Sequence, residues 1–428
     1  LKIIKSFKGI NKVSFLTNNK KEITLSAFSQ IILLLQLVVQ NKLLAVNFSK
    51  LEYGNWALLL SIYVLISMLP FTAFDQAIAK LTYHKINSKE KYYFTNNVYL
   101  VYLFLFVVYF IVLGIVTSTV FTSTILSSFF VYFILFTFTE ILKSSLLVMD
   151  NASRDRLRVM FLRLFELIFR TILLILLAYF KVFTINNVLI IFMLGNIIMI
   201  LTSYKKFNTI YGYIKVNKIK QFYNDIILFS YPLMIWAIFG WLQNMVNRWY
   251  LDYYLDPETV AAYTILVSLS FFLPNAFYGI VNNFFMPYIF SKNTKTSYSF
   301  YKSYLMIIGI LLFLYTIFIV FTSDYLVIIL ADSKYLDISP YIPFITLSSS
   351  LYIIAMLSTF EIFRSGETKK LLFPTILSGL LPAIAGFFII NNYGLIGAIL
   401  NHILGQVVYA IIVLYISYRH IRREDMSA

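Results

Sequence analysis

The chain has 428 residues, 60% hydrophobic and only 13% charged, with no cysteine and a formal net charge of +16; its mean hydropathy is +0.81. Soluble domains carry about 25% charged residues, so a water-soluble fold would lack the polar surface to cover this chain. The absence of cysteine excludes a disulfide framework and a thiolate metal site, and three scattered histidines (His84, His402, His420) give no metal-ligand spacing.

Two runs, Tyr92 to Thr139 and Leu371 to Tyr418, each hold 48 residues without Lys, Arg, Asp or Glu. A spanning helix needs about 20 apolar residues, so each run holds two spans and a tight turn. The first segment, 1–24, is polar and basic and lacks the apolar core of a signal peptide. Spans are then predicted at 25–46, 55–79, 98–118, 125–149, 163–181 and 186–204. A polar connection, 205–224, follows, then spans at 225–248, 259–285, 302–322, 341–363, 371–390 and 394–418 and a polar tail, 419–428. The expectation is an all-α integral membrane protein of about twelve transmembrane helices.

With the N-terminus inside, 28 of the 35 Lys and Arg fall on the inner side and five on the outer side: Lys42, Lys50, Lys181, Arg248 and Lys334. This bias predicts both termini in the cytoplasm and accounts for the net charge without nucleic acid. No outer loop has room for a catalytic domain, so an enzyme is not expected. Segment 205–224 divides the spans into two sets of six that start on the same face, as parallel repeats do: an N-lobe over 25–204 and a C-lobe over 225–418. A short echo supports the repeat. Asn41-Lys42 precedes Glu52 by the same spacing with which Asn247-Arg248 precedes Glu258.

Polar groups inside spans are costly and tend to face protein or a water-filled cavity. Gln36, Gln40 and Asn41 in the first span, Gln243, Asn244 and Asn247 in the seventh and Asn275 in the eighth suggest a polar cavity lined by spans 1, 2, 7 and 8; ordinary hydrogen bonding between helices is the alternative for each amide. Spans 3, 9 and 11 hold almost nothing polar beyond hydroxyls and are expected against lipid. Glu140 and Lys143 are spaced i,i+3, and Glu166 and Arg170 i,i+4, which permits intrahelical ion pairs or an inward-facing cationic site with a titratable carboxylate beside it. Asp75 and Glu140 are the candidates for coupling to an ion gradient. Lys42, Arg248, Lys143 and Arg170 are the basic groups in or near the spans. His402, near Gln406, reads as a packed core histidine or a proton carrier.

Several stretches resemble the Wzx-type polysaccharide (O-antigen) flippases of the multidrug/oligosaccharidyl-lipid/polysaccharide exporter superfamily. They are Phe48-Ser49-Lys50-Leu51-Glu52-Tyr53-Gly54-Asn55-Trp56, Tyr231-Pro232, Asn247-Arg248-Trp249-Tyr250-Leu251, Pro257 through Tyr263, Tyr335-Leu336 and Tyr341-Ile342-Pro343. The pattern is loose, and Val260-Ala261 stands where the family usually has a glycine. The resemblance implies two six-helix lobes around a central cavity, as in the MATE branch of the superfamily. It implies translocation of undecaprenyl-pyrophosphate-linked oligosaccharide by alternating access, from the cytoplasmic to the periplasmic leaflet of a bacterial inner membrane. A diphosphate suits Lys and Arg, so Lys42, Arg248, Lys143 and Arg170 become candidate anion-binding residues. No cofactor is expected beyond a proton or sodium gradient. The expected partners are the lipid-linked oligosaccharide, the bilayer and other components of the polysaccharide assembly machinery. The alternatives are an ion-coupled multidrug exporter of the same superfamily, against which the absence of a carboxylate in span 1 counts, and, more distantly, a membrane glycan polymerase or ligase.

Overall fold

The computed structural model describes residues 20–85, 101–111, 114–115, 125–153, 155–207, 216–291, 298–365 and 367–426. Most of the polar segment expected over 1–24, part of the connection after the second span and the centre of the 205–224 linker lie outside the described residues. Within them the fold is all-helical, without strands. In chain order the helices are α1 (Lys20–Asn47), α2 in two halves (Lys50–Ile66 and Ala73–Lys85), α3 (Val101–Ile111), α4 (Ile125–Ala152), α5 (Arg156–Tyr179), α6 (Ile185–Phe207), α7 (Val216–Tyr254), α8 (Pro257–Ser291), α9 (Tyr298–Leu330) and α10 (Ile342–Ser358). The segment Leu372–Met426 breaks at Gly394 into α11 (372–393) and α12 (395–426).

Local chemistry sets the boundaries. The Ser49 hydroxyl accepts the Glu52 amide at 3.2 Å while Glu52 Oε2 accepts the Ser49 amide at 3.0 Å, a reciprocal cap that starts α2 one residue after the turn from α1. The matching turn between α7 and α8 is capped by Asp256, whose Oδ1 accepts the Thr259 amide at 2.7 Å. The echo in sequence is thus an echo in geometry: two tight turns, each ended by an N-cap. Pro70 has no amide proton, and α2 loosens there into a π-helical stretch, Ser67–Thr72, with Leu69 out of the helical region at φ −121° and ψ 105°. Gly394 sits at φ 54°, a left-handed conformation that a side chain disfavours, and it separates α11 from α12.

Eight segments among the described residues are long and apolar enough to cross a bilayer, the last of them, Lys369–Arg422, holding both α11 and α12. Large apolar side chains are exposed on α3 (Phe104, Phe110), α9 (Phe313, Phe318, Phe321) and α11 (Ile384, Phe387, Phe388), as lipid-facing surfaces require. In one lobe α1 packs on α5, α4 on α6, and α5 on α6; in the other α7 packs along α11 and α12, and α10 on α8, α9 and the α11–α12 segment. The lobes meet chiefly where α2 crosses α8, and where the second half of α2 meets α7. One apolar cluster runs through both lobes at the end of the two capped turns and includes Phe48, Tyr53, Trp56, Phe136, Phe192, Leu266, Tyr335, Ile338 and Ile345.

The crossing of α2 and α8 is tight because position 54 has no side chain. A Cβ there would lie 1.7 Å from the Pro257 carbonyl oxygen, so Gly54→Ala must push the lobes apart. It is expected to cost about 1–3 kcal/mol in an SDS-unfolding measurement in mixed micelles. Gly240→Ala, where a Cβ meets nothing within 4 Å, is the control that leaves the midpoint unchanged or higher.

Candidate functional site at the seam between the lobes

At the end of the capped turns the seam is closed. Lys42 Nζ, on α1, donates to the Ile328 carbonyl near the end of α9 at 2.7 Å. Lys334, just beyond α9, donates to the Val46 and Phe48 carbonyls at the end of α1 at 3.3 and 2.6 Å. Each lysine therefore satisfies end carbonyls of the helix opposite, where cations are favoured by the dipole. Lys50 and Asp337 stand 3.8 Å apart, and the Tyr53 and Tyr335 rings meet edge-on at 6.2 Å.

Deeper in the seam lies Arg248 of α7. Its Nη1 donates to the Ala57 carbonyl of α2 at 3.3 Å, its Nε is buried with no hydrogen-bond partner, and no carboxylate lies within 4 Å of it among the described residues. Trp241 Nε1 donates to the Ser61 carbonyl of α2 at 2.8 Å. Other polar atoms on the seam helices are also buried and unpartnered: Gln40 Nε2 on α1, Asn55 Oδ1 on α2 and Thr264 Oγ1 on α8.

Lys143 and Arg170 lie elsewhere, inside the first lobe. Lys143 Nζ is bonded to Glu140 Oε1 and lies 2.6 Å from Glu166 Oε1. Arg170 reaches Glu140 Oε2 at 2.9 Å and Glu166 Oε1 at 2.7 Å. Asn196 of α6 accepts from Arg170 at 2.7 Å and donates to Glu140 Oε2 at 2.9 Å, and the guanidinium carbon of Arg170 lies 4.3 Å over the Phe192 ring. Two carboxylates and two cations thus form a neutral ring across α4, α5 and α6. The i,i+3 and i,i+4 pairs foreseen from spacing exist, but each ion also binds the opposite ion of the neighbouring helix.

The amides of the second lobe are largely spoken for. Asn247 donates to the Tyr263 hydroxyl at 2.9 Å and accepts from Asn401 at 2.7 Å. The Tyr263 oxygen lies 3.1 Å from His402 Nδ1, and Gln406 Nε2 stands 2.8 Å from His402 Nε2. Gln243 donates to the Gly405 carbonyl at 3.3 Å and accepts from Ser378 at 3.3 Å. Asn244 donates to its own helix at Gly240, and Asn275 is exposed on α8. On α1, Gln36 and Gln40 belong to a buried stripe with Ser29, Ile32 and Leu44, while Asn41 is half-buried. Asp75, in the second half of α2, is 5% exposed, accepts the Tyr102 hydroxyl at 2.6 Å and has no cation within 4 Å among the described residues.

No family model and no curated protein matches the sequence. Solved structures do match. An inward-facing multidrug resistance MATE family transporter of the MOP superfamily superposes with a TM-score of 0.74 at 13% identity, over 94% of this chain and 96% of its own. This is the fold of the MATE transporters. An outward-facing MATE transporter gives a TM-score of 0.63 at 12% identity over 95% and 97% of the two chains. A mutant of the Vibrio cholerae MATE transporter VcmN gives 0.64 at 12% over 96% and 98%. The two-lobe arrangement is therefore that of the MATE fold.

Arg248 and Asp75 stand out in the sequence as charges in or at the end of apolar runs, whereas the hydroxyls and carbonyls around them do not. Pro70, five residues ahead of Asp75, is the sequence feature that could have marked a backbone break beside that carboxylate.

The ionic ring has a measurable consequence. Glu166→Gln leaves Lys143 and Arg170 with one carboxylate between them, and a buried pair broken on one side costs about 3–5 kcal/mol. The double variant Lys143→Met with Glu166→Gln restores neutrality and is expected to recover more than half of that loss in the same unfolding measurement.

Proposed function

We propose that this chain is an alternating-access transporter of the bacterial inner membrane that carries an anionic amphipathic substrate, a pyrophosphate-linked oligosaccharide lipid, to the periplasmic leaflet. The observation that carries this reading is Arg248, a half-buried guanidinium at the lobe seam that bonds to a backbone carbonyl through Nη1, keeps a buried Nε without a partner and faces no carboxylate among the described residues. A guanidinium with a donor to spare and no carboxylate beside it is suited to phosphate oxygens. Lys143 and Arg170, neutralised by their own carboxylates, are not needed for the anion, and Lys42 serves the closed end. With both termini in the cytoplasm, as the charge bias expects, the closed end is periplasmic and the seam opens inward. The resemblance of short stretches to polysaccharide flippases supports the choice of substrate. Asp75, a carboxylate without a fixed counter-charge, is the better of the two coupling candidates, because Glu140 is held in the ionic ring.

A second reading, an ion-coupled multidrug exporter, is favoured by the solved neighbours described as multidrug resistance transporters. Complementation separates the two. Cells lacking their own lipid-linked oligosaccharide flippase are expected to regain surface glycan with the wild-type chain. Arg248→Ala, at matched membrane levels, is expected to lose about tenfold or more of that export, in line with removal of a charge-assisted contact. Drug resistance without glycan export would overturn the substrate assignment.

Alternating access requires the closed end to open. The chain has no cysteine of its own, so a cysteine pair introduced at Lys50 and Asp337 and joined by a short bifunctional maleimide should stop export. Full export with the bridge in place would overturn the mechanism.

A further inference from the structure

We infer that the break in α2 forms a binding site for a hard monovalent cation, with Na+ as the ion, built from the Asp75 carboxylate, the Tyr102, Ser144 and Ser145 hydroxyls and the Phe71 carbonyl. The use of this site for coupling rests on the transporter reading above; the existence of the site does not.

The argument starts from the backbone. Pro70 removes one amide proton and Leu69 leaves the helical region, so carbonyls around the break lose their normal partners. Side-chain hydroxyls take their place. Thr72 donates to the Ser67 carbonyl at 2.9 Å, and Tyr109 donates to the Leu69 carbonyl. Tyr102, on α3, lies 2.6 Å from Asp75 Oδ1 and 3.4 Å from the Phe71 carbonyl. It has one proton for two acceptors, so the Phe71 oxygen keeps capacity to spare. Ser144 and Ser145 of α4 lie beside the same carboxylate. Ser145 is 3% exposed, yet its oxygen completes no hydrogen bond of good geometry. That buried, unpartnered hydroxyl beside Asp75 is independent of the break in α2 and points to the same spot.

The donor set is all oxygen: one carboxylate, three hydroxyls and one carbonyl. Hard cations take such ligands, whereas transition metals draw on nitrogen and sulfur. The one carboxylate of this donor set is Asp75, and no group of three or more His, Cys, Asp or Glu gathers anywhere among the described residues. A monovalent ion leaves the buried site neutral, while a divalent ion would leave an uncompensated charge in a low-dielectric interior. Unwound backbone carbonyls at mid-helix are a recurrent source of such ligands in membrane proteins.

The site also touches the seam. The Ala73 carbonyl, two residues before Asp75, accepts the Ser230 hydroxyl of α7 at 3.0 Å. An ion that stiffens this turn of α2 therefore acts on a hydrogen bond between the lobes.

The test uses the purified full chain in detergent, with 22Na+ binding and thermal unfolding measured in NaCl against choline chloride at equal ionic strength. The expected result is one Na+ per chain and an unfolding midpoint raised by Na+ but not by choline. Asp75→Asn is expected to abolish both effects, and Ser145→Ala to weaken Na+ binding about tenfold, the equivalent of one charge-assisted contact. If Asp75→Asn does not fold, Ser145→Ala and Tyr102→Phe carry the test by a graded loss of affinity in monodisperse protein. Absence of Na+-specific binding, or binding undiminished in these variants, overturns the site. A pH-dependent midpoint that Asp75→Asn removes, with no Na+ effect, also overturns it and makes Asp75 a proton site. Sodium binding without glycan export leaves the site standing and removes the lipid-linked oligosaccharide as substrate; export without sodium binding does the reverse.

Discussion

A chain that spans a bilayer has no water at mid-depth to receive its charges, so every buried ion and every freed backbone group must find its partner within the protein. The first lobe meets this constraint with the ring of Glu140, Lys143, Glu166, Arg170 and Asn196. Because each ion binds partners on two helices, the ring fixes the rotation of α4, α5 and α6 relative to one another, and it does so at no net charge. The second lobe has no such ring among the described residues. It uses neutral groups instead, the chain of Asn401, Asn247, Tyr263, His402 and Gln406 across α7, α8 and α12.

Against this background of satisfied groups, two residues depart from the rule in informative ways. Among the described residues, Arg248 is a half-buried cation without a carboxylate, and it sits where α7 of one lobe meets α2 of the other. Asp75 is a buried carboxylate without a cation there, and it sits beside the break in α2, two residues from a hydrogen bond to α7. Both lie on elements that join the lobes rather than within one lobe's interior. Unpaired charge is destabilising unless something offsets it, so its retention at a seam is more readily understood through ligands that come and go than through stability.

The end of the bundle with the two capped turns shows how closure is assembled from ordinary parts. Helix ends leave carbonyls unsatisfied, and here Lys42 and Lys334 cross the seam to supply them. Gly54 lets α2 and α8 approach until backbone meets backbone, while Tyr53 and Tyr335 fill the space above. None of these contacts is a large apolar interface within one lobe. The closure joins two lysine caps, an exposed ion pair and a glycine crossing to the apolar cluster that both lobes share at this end.

The order of the helices and the lipid-facing faces of α3, α9 and α11 were legible in the residues alone, because apolar length and charge-free runs are local properties; the two capped turns are tighter than the span limits of 46 to 55 and 248 to 259 suggest, because polar residues such as Lys50 and Asp252 continue the helices. Asp75 was legible too, since a charge inside an apolar run is visible without coordinates; Arg248 reads as a cation at the outer end of the seventh span, and only the continuation of α7 to Tyr254 carries it inside the helix. Spacing along one helix revealed that Glu140 can reach Lys143 and Glu166 can reach Arg170, but the second partner of each ion depends on how α4 and α5 are rotated about their axes. Lys42 and Ile328 are 286 residues apart, so nothing in the sequence could join them. Ser144, Ser145 and Tyr102 were silent for a different reason: hydroxyls in apolar helices usually bond to their own backbone, and only the packing of α3 and α4 against the break in α2 turns these three toward one carboxylate.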